Sequence, residues 1–139
     1  MPSKADLIAN LDWTTERMSN RVWALSAGVL ATSLTYIIES TKKDGVPFLE
    51  PRYAALPAVL ALIAMGADLA QYYAASRQDI RLLDRMEREK ADALGYDRSD
   101  MFFRLRFWAY NTKICACVAA ALTLVVMSAT RVYQLIAGA

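Results

Sequence analysis

Residues 53–76, YAALPAVLALIAMGADLAQYYAAS, make a long apolar run that carries one charge, Asp68. At about 1.5 Å per helical residue the run measures about 36 Å, enough to cross a hydrocarbon core. Two further runs, Val22–Ile38 and Ile114–Thr130, carry no charge at all. Each would rise about 26 Å as a helix. The expected fold is therefore all-α, an integral membrane protein with three transmembrane helices (spans over 22–40, 53–76 and 114–135).

The composition of the 139-residue chain agrees. It is 56% hydrophobic and 22% charged, so the charges must be segregated from the apolar runs. The rival is a soluble helical bundle that buries the same runs. The flanks argue against it: Arg21, Trp23 and Glu39, then Arg52 and Tyr53, then Trp108, Tyr110, Lys113, Arg131 and Tyr133. Aromatic and basic residues collect where headgroups lie, and Trp23, Trp108 and Lys113 read as interface anchors. The first run begins after roughly 20 mixed residues and no cleavage-site pattern follows it, so the first span is expected to be retained.

Orientation follows from the basic residues. With the N-terminus inside, the inner segments hold twelve Lys and Arg and the outer segments four (Lys42, Lys43, Arg52 and Arg131). That bias favours an N-terminus in the cytoplasm and a C-terminus outside. No Arg- and Ser-rich, acid-poor leader is visible, which points to a bacterial cytoplasmic membrane.

Outside the spans, residues 3–20 place Leu7, Leu11 and Met18 on one face and charges elsewhere, an amphipathic helix that Ser3 and Asp6 would cap. Residues 41–52 hold Asp44-Gly45, Pro47 and Pro51, an external turn followed by a helix start. No helix breaker separates Pro57 from Gly95, so the second span is expected to run on past the membrane and end at Gly95. Ser99 or Asp100 would cap the return helix. Residues 77–113 thus form a cytoplasmic helical hairpin, with Asp84–Arg88 and Arg85–Glu89 as exposed ion pairs. The whole chain, 1–139, reads as one membrane domain.

Several chemistries are excluded. The chain has no histidine, and Cys115 and Cys117 point about 200° apart on a helix, so they share neither a metal nor a bridge. Phosphate loops, nucleophile elbows and paired carboxylates are missing from the sequence. No enzyme activity, cofactor or metal is expected. Arg104 and Arg106 among aromatics suggest nucleic acid only superficially, because the hairpin also holds seven acids.

Asp68 is the residue left to explain. Ala54, Ala61, Ala64, Asp68, Gln71 and Ala75 share one helical face, a small polar stripe of the kind that packs closely on another helix. Ser26, Ser33 and Ser40 repeat every seven residues in the first span, and Ala116, Ala120, Thr123 and Thr130 share a side of the third. Three roles are open to the acid. It is hydrogen-bonded to a hydroxyl, to Gln71 or to Tyr72; or it lines, with Gln71, a cation path through an assembly of copies; or it meets a partner subunit. The candidate polar stripe is Asp68, Gln71, Tyr72, Ser33 and Thr123. The expected function is a non-enzymatic homo-oligomer forming a pore in the lipid bilayer. An accessory or scaffold subunit of a larger membrane complex is the alternative, and a soluble helical interaction protein a third possibility.

Overall fold

A computed structural model describes residues 4–40, 50–90 and 95–138, with side chains from residue 16 onward and Leu83 excepted. It consists of three long helices, α1 (Lys4–Ser40), α2 (Pro51–Glu89) and α3 (Met101–Ala137), and no strand occurs among the described residues. All three are long and apolar enough to cross a membrane. The expected turn over 41–49 and the Ser3 cap lie outside the described residues.

α1 is one uninterrupted rod. The amphipathic segment expected over 3–20 and the first span are not separated by a break. No Gly or Pro falls between Lys4 and Ala27, so nothing interrupts the backbone where polarity changes. α2 starts with Pro51 in its first turn, where a missing N–H is harmless, and tolerates Pro57 inside it.

α2 does not run to Gly95. It ends at Glu89, and Lys90 takes the left-handed conformation (φ 48°) while its N–H donates to the Met86 carbonyl. With Lys90 in the left-handed conformation the helical hydrogen-bond ladder cannot continue, and α2 stops before the glycine; Arg81 then pairs with Asp100 at the start of α3. Asp100 does cap α3, its carboxylate accepting from the Phe102 N–H at 2.9 Å.

The helices pack with α1 parallel to α3, since the Met18–Tyr110 and Ser26–Cys117 contacts run in the same order along both. α2 is antiparallel to them, since Asp68–Lys113 and Arg81–Asp100 run in opposite order along α2 and α3. α2 and α3 share the larger interface, and α1 leans mainly on α2. The buried seams follow alternating steps of three and four residues. In α1 they are Ser19, Val22, Ser26, Val29 and Ser33; α2 brings Ala54, Pro57, Ala61, Ala64, Asp68 and Gln71; α3 brings Ala109, Lys113, Ala116 and Ala120. Small side chains let backbones approach closely, which is how helices associate where lipid supplies no hydrophobic drive. The large residues face outward, among them Leu25, Leu62, Leu69, Leu122 and Val126.

Candidate functional site

Asp68 lies at the centre of the most polar part of this seam. Its carboxylate is 0% exposed and receives donors from both other helices. Lys113 Nζ donates to Oδ1 at 2.7 Å. Ser19 Oγ donates to the same oxygen. Trp23 Nε1 donates to Oδ2 at 2.6 Å. Lys113, also 0% exposed, donates in addition to Ser19 Oγ at 3.3 Å and lies 5.3 Å from the Tyr110 ring centroid. Each helix therefore contributes at least one member. As a carboxylate Asp68 is an acceptor only, and three donors match its two oxygens.

Helix register puts these groups at one level. Arg81–Asp100 lies near the polar end of the α2–α3 pair, and thirteen residues further along each helix the same register brings Asp68 opposite Lys113. One turn away towards the apolar side, Ser26 Oγ donates to Cys117 Sγ at 3.7 Å, and Cys117 Sγ contacts the Val22 carbonyl at 3.9 Å. Both cysteines are free, Cys117 buried and Cys115 exposed, so they do point to different sides.

The expected polar stripe divides under this geometry. Asp68, Gln71 and Ser33 are buried in the bundle, but Gln71 Oε1 and Ser33 Oγ have no hydrogen-bond partner. Tyr72 is 52% exposed, and the hydrogen-bond partners of Asp68 are Ser19, Trp23 and Lys113 instead. Thr123 bonds to its own helix, at the Ala119 carbonyl (2.6 Å). Among the anchors, Trp108 is 68% exposed as a headgroup-level residue would be. Lys113 and Trp23 are placed differently: both point inward to Asp68. The physical reason is that an acid within a span is far less costly beside a buried cation than alone, so the nearest lysine at that depth turns towards it.

Ser19 was not among the expected site residues. The signal that finds it is the heptad repeat, because Ser19 precedes Ser26 and Ser33 at the same seven-residue interval. Lys113 carries no such local signal, since a hairpin turning at Gly95 would bring it near Arg77 and only the end of α2 at Glu89 sets it opposite Asp68.

The far end of the α2–α3 pair forms a second polar cluster. Arg81 Nη1 lies 3.1 and 3.3 Å from the Asp100 carboxylate oxygens, with its guanidinium 4.5 Å from the Phe102 ring centroid. Tyr96 donates to Asp79 at 2.8 Å. Of the expected pairs, Arg85 instead approaches Asp97 at 4.0 Å, and Arg88 Nε donates to the Asp84 backbone carbonyl at 3.1 Å. The Ser99 hydroxyl, aided by the Ser99 backbone N–H, holds the Asp97 carboxyl below the usual carboxylate range. Among the described residues no group of His, Cys, Asp and Glu could hold a metal ion.

No protein family matches the chain, and no curated protein or solved structure matches it either.

Proposed function

We propose that the protein is a non-enzymatic three-span membrane module that works by association, as an accessory or scaffold subunit of a larger membrane complex. One observation carries this reading over a pore: the acid that a cation path needs is paired with Lys113 inside a single chain. A cation opposite each acid cancels the negative ring that would select permeant cations. What remains facing outward is an apolar belt suited to lipid and partner helices, plus a charged hairpin. In this reading the hairpin and the N-terminus lie in the cytoplasm of a bacterial cell and the C-terminus outside, following the basic-residue bias.

Purification in mild detergent tests the proposal. An accessory subunit comes out with other chains in fixed stoichiometry, and its level falls when those chains are removed. A particle made of this chain alone overturns it.

The homo-oligomeric pore stands as a second reading because Gln71 Oε1 and Ser33 Oγ are buried without partners. Unpaired oxygens of this kind favour water in the interior. Liposomes holding the verified oligomer would then conduct ions, and Asp68→Asn would change their selectivity. No flux from such liposomes removes that reading.

A further inference from the structure

A shallow, open groove runs along the outside of the α2–α3 pair, on the side of α3 turned away from the Asp68 cluster. Leu60 forms one wall, and Trp108, Asn111, Thr112, Cys115, Ala116 and Ala119 line the rest. From Trp108 to Ala119 the groove follows about 16 Å of helix, and the register that sets Arg81 beside Asp100 places it opposite the apolar run of α2 that ends at Ser76. The membrane edge on α3 therefore falls near Leu105 instead of at Ile114, and the groove spans about one leaflet of a 30 Å hydrocarbon core. Its chemistry is graded. The deep end is Leu60, Cys115 and Ala119; the shallow end offers the Trp108 indole, the Asn111 amide and the Thr112 hydroxyl.

One helical turn beyond Trp108 on the same side of α3 stands Arg104, which is exposed and has no acid paired with it among the described residues. Arg77, the first charge after the apolar run in α2, falls at the same level by the register that pairs Arg81 with Asp100. A slot one acyl chain deep, a hydrogen-bonding mouth and an unpaired guanidinium beyond it match the sequence of groups along a phospholipid: chain, ester, phosphate. The geometry points to a specific site for one anionic phospholipid, with an acyl chain in the α2–α3 groove and its phosphate at Arg104.

This site depends on the membrane placement of the helices and not on the partners proposed above. The test reconstitutes the full chain in vesicles containing phosphatidylglycerol or phosphatidylcholine that carries a photoreactive diazirine on the acyl chain, and maps the label by peptide mass spectrometry. Label from phosphatidylglycerol should concentrate on residues 108–119 and near Leu60, in excess over label from phosphatidylcholine. Arg104→Gln, at an exposed position, should lower that excess by about fivefold, the worth of one basic group at an anionic surface. Ala119→Phe fills the groove and should remove the label there while leaving it elsewhere on α3.

Equal labelling by the two lipids overturns the proposal. So does label spread evenly over Leu122, Val125 and Val126, or an unchanged excess in Arg104→Gln. A chain that fails to float with the vesicles overturns the membrane placement itself, and the site with it.

Discussion

Removing the ammonium of Lys113 leaves Asp68 with Ser19 and Trp23 alone, and an uncompensated charge in the interior. Breaking a buried pair from one side costs about 3–5 kcal/mol, whereas replacing both charges by apolar groups of similar shape is often close to neutral. Lys113→Met should therefore unfold at much lower SDS fraction than the parent, and Asp68→Leu with Lys113→Met should recover most of the loss. Equal stability of the single and double variants would show that the pair is not coupled. Asp97 behaves differently, because it is exposed and bonded to Ser99. Its pKa is depressed on folding, so its contribution is present above the unfolded carboxylate range and disappears as pH falls through the lower folded value. A carboxyl-carbon NMR titration should give Asp97 a midpoint below that of ordinary aspartates, and Ser99→Ala should raise it.

At the level of the helix, two features make separate predictions. Lys90 holds a left-handed backbone (φ 48°) that strains any residue with a Cβ. Lys90→Gly should add about 1 kcal/mol to stability in thermal melts, provided the cap geometry is kept. Ala61 is 0% exposed in the α1–α2–α3 seam beside Val29 and Ala120. Ala61→Leu should lose about 1–3 kcal/mol by overpacking, while Leu62→Ala on the outward face should change stability much less. The helices were legible in the sequence because long apolar runs and the Asp100 cap are local signals. The inward stripe of Ala54, Ala61, Ala64, Asp68 and Gln71 was legible for the same reason, as a spacing on one helix. The partner of Asp68 was not, since it depends on the register between two helices. An interfacial lysine and a buried lysine have the same local sequence, and only the early end of α2 at Glu89 sets which is realised.

For the molecule as a whole, three helices that meet at a buried Asp68–Lys113 pair form a bundle with an apolar exterior. High-salt or carbonate washing should leave the chain in the membrane pellet, and its appearance in the supernatant would refute membrane insertion. The pairing of Asp68 with Lys113 also has a consequence for biosynthesis. The two residues are 45 positions apart, so a ribosome adding about 5–20 residues each second exposes the acid for roughly 2–9 s before its counter-ion emerges. During that interval the middle helix has no electrostatic reason to settle among lipid tails. It should linger at the translocation machinery until the last helix arrives, and a nascent chain truncated between the two should be extracted far more readily than one released just beyond Lys113.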